Sequence, residues 1–238
     1  MHPIYILLIL FMTTFLSGTF VFVGRNENKL GLNLILAFSG AYLFAICALH
    51  LLPEVYSIDA KTSGVFLLIG FFIQVLLELI SEGIEHGHIH KHSHQEKMFP
   101  FTMMIGLSIH AFLEGMPIVD FKTSTTSNPM LIGIIIHNIP ISIALMTVLL
   151  HAEVSKSKAL ICLALFALMS PIGTLFSYLM NINLSDSSIY YSAVMSIVVG
   201  IFLHISTTIL FESSDNHRIN ILKFAAIILG AGVAYFSL

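Results

Sequence analysis

Apolar residues run along this chain in blocks, broken by short polar stretches. A helix needs about 20 mostly apolar residues to cross the hydrocarbon core of a bilayer. Runs of that length fall near 3–23, 31–53, 64–83, 100–120, 130–151, 157–180, 189–211 and 219–237. The pattern predicts an all-α integral membrane protein of eight transmembrane helices joined by short loops. Little chain is left for a soluble part, so residues 1–238 read as a single transmembrane domain. No Lys or Arg precedes the first run, and its apolar stretch is too long for the core of a signal peptide, so it counts as a span.

Composition agrees with that pattern. The chain is 57% hydrophobic and 10% charged with a mean hydropathy of +0.94, whereas soluble domains are about 25% charged. An ordinary globular domain and a disordered tail are both excluded. Ten Lys+Arg against 13 Asp+Glu give a formal charge of -3 with no basic patch, so nucleic acid is not an expected partner. Cys47 and Cys162 sit inside apolar runs and build no disulfide framework.

The basic residues set the orientation. Arg25, Lys29, Lys91, Lys97, Lys156, Lys158, Arg218 and Lys223 lie in or beside the loops after runs one, three, five and seven, leaving only Lys61 and Lys122 for the other side. By the positive-inside rule the odd-numbered loops are cytoplasmic and both termini are extracellular or periplasmic. A plasma membrane or bacterial inner membrane is the expected location, because no organelle-targeting segment is apparent. The longest loop, 84–99 between the third and fourth spans, overlaps the stretch EGIEHGHIHKHSHQEK at 82–97 and carries His86, His88, His90, His92 and His94. Such a His-rich cytoplasmic segment binds metal weakly; the alternative is a solvated polar linker.

A second polar population lies at membrane depth, where a charged side chain costs at least about 2.5 kcal/mol. It comprises His50, Glu78, His110, Glu114, His137 and His204, with Glu54, Glu82 and Glu212 nearer helix ends. In GLSIHAFLEGMP, His110 and Glu114 are four residues apart and share one helix face. In GIIIHNIP, His137 and Asn138 come from the next span. Glu114 is six residues from the expected outer end of its span at Asp120, and His137 is about as far from its own. At about 1.5 Å per residue the two therefore match in depth. Two imidazoles and a carboxylate suit a borderline divalent ion such as Zn²⁺, and argue against Mg²⁺ and Ca²⁺. A His-Glu-His hydrogen-bond network without metal is the structural alternative. Pro117 and Pro140, read as lying inside their helices, would free the carbonyls of Leu113 and Ile136 beside the proposed ligands. From outside to inside the polar groups form a file of His50/Glu54, Glu114/His137, His110, His204/Glu78 and Glu82/Glu212, as a conduction path requires.

Taken in order, these motifs resemble the ZIP (Zrt/Irt-like) family of divalent metal transporters. The matching residues are HLLPE at 50–54, the His-rich loop, HAFLEG at 110–115, HNIP at 137–140, SPIG at 170–173 and GIFLH at 200–204. The resemblance covers essentially the whole chain and implies eight helices with both termini outside. It also implies metal ligation by His110, Glu114 and His137 with Asn138 nearby, and alternating access in which helices 2, 4, 5 and 7 move against the rest. The family pattern H-N-x-P-E-G has Ala111 and Leu113 here at its Asn and Pro positions. Ile141 replaces the Glu that bridges two metals, and Ser170 replaces the Glu of E-P-x-G. The resemblance thus implies a mononuclear site, completed by water or the Asn138 oxygen.

The expected function is import of Zn²⁺ or another first-row divalent ion as cargo, with no cofactor and no enzyme activity. Protonation of Glu114 or the histidines offers a release route, since protons and metal compete for ligands. The expected partners are the metal ion and the lipid bilayer, with a homodimer as the candidate assembly. A metal-sensing or regulatory membrane protein is the alternative, motivated by Ile141 and Ser170. An intramembrane zinc hydrolase is disfavoured: there is no HExxH, and Asp59, Asp120, Asp186 and Asp215 all lie in loops or at helix ends.

Overall fold

The computed structural model describes residues 3–22, 29–81, 100–120, 125–126, 128–183, 187–212 and 221–238. Almost all of them are helical. The helices are α1 (Pro3–Thr19, continued by a 3-10 turn Phe20–Phe22), α2 (Lys29–Ile46), α3 (Leu52–Ser81), α4 (Phe101–Gly115), α5 (Asn128–His151), α6 (Lys156–Asn183), α7 (Ser187–Glu212) and α8 (Ile221–Ser237). One two-residue antiparallel pair, Val119–Asp120 with Thr125–Thr126, is the only strand pairing among the described residues.

Five helical segments among the described residues are long and apolar enough to cross a membrane, and α4 and α8 are shorter apolar helices. Their outer faces are apolar as well. On α1 and its 3-10 extension, Ile4, Leu8, Met12, Leu16 and Phe20 recur every fourth residue and are all exposed. On α3, Leu68, Phe72, Leu76 and Leu79 form a similar stripe. Faces of this size would drive aggregation in water and are the expected lining against lipid. Buried from water, a backbone polar group must find a partner inside its own segment, which leaves helices as the available form. Serine and threonine satisfy themselves in the same way: Thr13 donates to the Ile9 carbonyl at 2.7 Å and Ser17 to that of Thr13 at 2.7 Å.

Two boundaries differ from the expectation. The stretch 54–63 is not a loop: α2 passes through a π-helical turn, Cys47–Leu51, into α3, where Leu52 N–H donates to the Cys47 carbonyl. The widened turn makes room ahead of Pro53, which cannot donate a backbone bond. The axis breaks instead at Asp59, whose backbone is extended (φ −154°, ψ 99°). Its carboxylate accepts from the Lys61 and Thr62 backbone N–H groups at 3.2 and 3.3 Å, capping the helix that restarts there. The second difference is the end of α4. The helix stops at Gly115 rather than near 120, and the Met116 N–H donates to the Leu113 carbonyl at 3.2 Å. Pro117 therefore lies beyond the helix and does not free that carbonyl, whereas Pro140 is inside α5 as expected.

The core is divided. One apolar cluster joins α2, α7 and the first half of α5, with Ile6, Leu10 and Ala234. The other joins α4, α6 and the second half of α5, from Ile141 to Leu149. Glycines bring two helix pairs to backbone contact: a Cβ on Gly70 or Gly200 would overlap the carbonyls of Ile197 or Leu67 across α3–α7. Likewise, a Cβ on Gly115 or Gly173 would overlap the carbonyls of Ser170 or Phe112 across α4–α6. These two seams leave α4 and α7 tied to different partners. On α5, His137 and Asn138 lie between the part in the first cluster and the part in the second.

Candidate metal centre

The division of the core is where the buried polar side chains meet. His110 and Glu114 project from one face of α4, and His137 comes from α5. One ligand atom from each lies within 4.8 Å of the others, the sole such group of His, Cys, Asp or Glu found among the described residues. All three side chains are fully buried, at 0% exposure. His110 Nε2 is 2.9 Å from Glu114 Oε1, and His137 Nε2 is 3.9 Å from the same oxygen. The two imidazole planes stand at 81°, with ring centroids 5.9 Å apart.

These separations match a small cation. With metal–ligand bonds of about 2.0–2.1 Å, tetrahedral ligand atoms lie roughly 3.3 Å apart, and the observed 2.9 and 3.9 Å fall on either side of that distance. Neither Glu114 oxygen makes a hydrogen bond, and neither does Asn138 Oδ1, although all three atoms are buried. A buried carboxylate without donors is costly, and a bound cation removes that cost. Imidazole and carboxylate are the donor types a borderline divalent ion prefers.

Gln74 adds a partner that the spacing of charged residues does not reveal. It is fully buried on α3, and its Oε1 lies 3.1 Å from His110 Nδ1. An amide oxygen only accepts, so with Oε1 facing the ring the matching His110 tautomer has its proton on Nδ1 and its lone pair on Nε2 toward Glu114. The one available signal is a polar residue in the apolar run FFIQVLLEL, four residues before Glu78.

The remaining expected residues are distributed as follows. Glu78 of α3 and His204 of α7 meet, with Oε2 and Nε2 2.5 Å apart, and Phe71 stands edge-on to the His204 ring at 4.9 Å. His50 and Glu54 face each other at 3.9 Å with side chains 42% and 37% exposed, outside the buried group. Ser170 is buried on α6, where its carbonyl packs on Gly115 and accepts from the Thr174 hydroxyl at 3.1 Å. Ile141 is enclosed in the second apolar cluster. Glu212 ends α7. Glu82 and the five loop histidines lie outside the described residues.

Apolar helices with lipid-type outer faces, enclosing a buried His-Glu-His group, define a multi-pass membrane protein with the donor set of a transition-metal binder. The chain belongs to the ZIP zinc transporter family, whose profile matches residues 85–237. It is similar to the zinc transporter ZupT of Streptococcus mutans, at 26% identity over 95% of this chain and 92% of that protein. The zinc transporter ZIP9-A of Xenopus laevis is 26% identical over 60% of this chain and 50% of its own length. Protein zntD of Dictyostelium discoideum is 25% identical over 60% of this chain and 23% of its own. The chain thus spans nearly the whole of ZupT but only part of the other two.

Proposed function

We propose that this protein imports divalent transition-metal ions, Zn²⁺ foremost, into the cytoplasm through a mononuclear site made by His110, Glu114 and His137. The observation that carries this reading is the convergence of those three buried side chains within 4.8 Å. Ile141 lies in an apolar cluster, which favours one ion rather than two. Metal is the cargo: two neutral imidazoles and one carboxylate bind a dehydrated ion, yet release it more readily than a set of thiolates. Asn138 Oδ1 is a further neutral oxygen beside His137, available as a fourth ligand in place of water.

The topology of this reading is one domain over 1–238 with eight spans. Leu30–Ser81 is 52 residues, roughly 78 Å of helix at about 1.5 Å per residue, against a hydrocarbon core of about 30 Å. Broken at Asp59, that segment supplies two spans. The bias of basic residues then places both termini outside and the His-rich loop in the cytoplasm, at a cell membrane. Alternating access follows most naturally between α2, α3, α7 and α8 on one side and α1, α4, α5 and α6 on the other. The glycine seams bring α3 onto α7 and α4 onto α6, which favours this division over one that moves helices 2, 4, 5 and 7 together. His204 with Glu78 forms a second station on the path.

The test is uptake of radioactive Zn²⁺ into proteoliposomes by wild type, His110→Ala and Glu114→Ala, with Mn²⁺, Fe²⁺ and Cd²⁺ as competitors. Wild-type uptake that both substitutions abolish supports import through this site. Absence of uptake in membrane-inserted wild type that still binds Zn²⁺ overturns import in favour of metal sensing.

A further inference from the structure

We propose that Gln74 is a positioning residue for metal capture: it fixes the His110 tautomer that can bind a cation, and it does so from the opposite helix group. This inference rests on His110 being a metal ligand.

Gln74 lies on α3, which is held to α7 at Gly70 and Gly200, whereas His110 lies on α4, which is held to α6 at Gly115 and Gly173. The hydrogen bond between them therefore crosses from one seam-linked pair to the other. α4 can approach α3 because Gly106, one turn before His110, carries no side chain; a Cβ there would come within 3.1 Å of Ser81 Cβ and 3.3 Å of the Leu77 carbonyl. The amide is otherwise poorly served, since its Nε2 is buried without a partner. Its oxygen is the atom in use.

The chemistry at His110 depends on that oxygen. Metal binding requires a lone pair on Nε2, the nitrogen 2.9 Å from Glu114 Oε1. In the other neutral tautomer, Nε2–H would donate to the carboxylate and close the site with its own hydrogen bond. Gln74 Oε1 accepts only from Nδ1–H, so it favours the open tautomer and leaves two acceptors facing each other for a cation to join. Any sliding of α3 past α4 withdraws the oxygen, so the bond also ties ligand quality to the relative position of the two pairs. Partners behind a metal-ligating histidine typically alter metal affinity by about 10–100-fold.

The experiment measures Zn²⁺ affinity of the purified full-length protein by chelator competition, for wild type, Gln74→Met and Gln74→Glu. Methionine keeps the length and apolar packing but offers no strong acceptor; glutamate keeps an acceptor oxygen in place. Gln74→Met is expected to weaken Zn²⁺ binding about 10–100-fold, with Gln74→Glu within about threefold of wild type. A role in packing alone predicts the reverse order, because methionine fits an apolar site and glutamate does not. Unchanged affinity in Gln74→Met, or Gln74→Glu as weak as Gln74→Met, overturns the proposal. Imidazole ¹⁵N spectra of the Zn²⁺-bound wild type supply a second reading: a slowly exchanging Nδ1 proton on His110 supports the assignment, and a rapidly exchanging one overturns it. Wild type that binds Zn²⁺ without importing it would sink the import reading and leave Gln74 standing. Unchanged binding in Gln74→Met, beside uptake lost in Glu114→Ala, would do the opposite.

Discussion

His50/Glu54 and His110/Glu114 are the same sequence signal, a histidine followed four residues later by a glutamate within an apolar run. In the first pair the side chains are exposed and 3.9 Å apart; in the second they are buried, 2.9 Å apart and joined by His137 from another helix and Gln74 from a third. Spacing accounts for what the pairs share, since residues four apart lie on one face. What separates them is which neighbour that face meets. The α4 face meets α5 where the apolar core divides and α3 across Gly106. A ligand pair becomes a site only when other helices remove water and add donors of the right type.

The largest test of this contrast removes each carboxylate in turn. Glu114→Ala is expected to lower Zn²⁺ uptake by about 100-fold or more, since the site loses its one charged ligand. Glu54→Ala, at equal sequence spacing, should change uptake by less than about threefold; comparable losses would make the exposed pair part of the binding site. Next in size is Ile141→Glu, which places a carboxylate in the apolar cluster beside the site. Thermal unfolding in detergent without metal should show a loss of about 3 kcal/mol. Added Zn²⁺ should recover part of it if the new group reaches the ion.

A smaller effect probes the wall behind Glu114. Gly115→Ala drives a methyl group into the Ser170 carbonyl and should cost about 1–3 kcal/mol. Gly232→Ala has nothing within 4 Å of the new Cβ and should be neutral or slightly stabilising, as alanine is favoured in a helix by about 1 kcal/mol. Equal melting shifts would mean that the α4–α6 seam is looser than its backbone contact indicates. Smallest of all is the direct coupling of His50 with Glu54. A double-mutant cycle on unfolding should give less than about 0.5 kcal/mol, in line with other exposed ion pairs.

The convergence of His110, Glu114 and His137 was legible because each carries a type and a spacing that an apolar run seldom tolerates; the depth count from Asp120 was not sound, because α4 ends at Gly115 and is shorter than α5. The meeting of Glu78 with His204 followed from a comparison of depth on their own spans. Gln74 was not legible in this way. It is neutral, it has no complementary residue at helical spacing, and its partner is 36 positions away on another helix. The polar stretch 54–63 looked like a loop because composition reports water exposure rather than backbone form, and Asp59 can break and recap a helix without Gly or Pro. Pro117 was misplaced inside its helix for a related reason. A proline in an apolar run kinks a helix or lies just beyond its end, and the Met116–Leu113 bond chose the latter.

The early end of α4 also alters the balance of charge around the cargo. Glu114 is the penultimate residue of that helix, so the ion would lie near a helix C-terminus, where the aligned peptide dipoles act as about half a negative charge. Together with one carboxylate and two neutral imidazoles, this offsets roughly three-quarters of a divalent ion's charge. A complex formed there would keep a positive remainder in a medium that opposes it, which favours release of the ion. A second carboxylate at position 141 would overcorrect that remainder. With isoleucine there, the short helix supplies a fractional counter-charge, stronger than none and weaker than another glutamate.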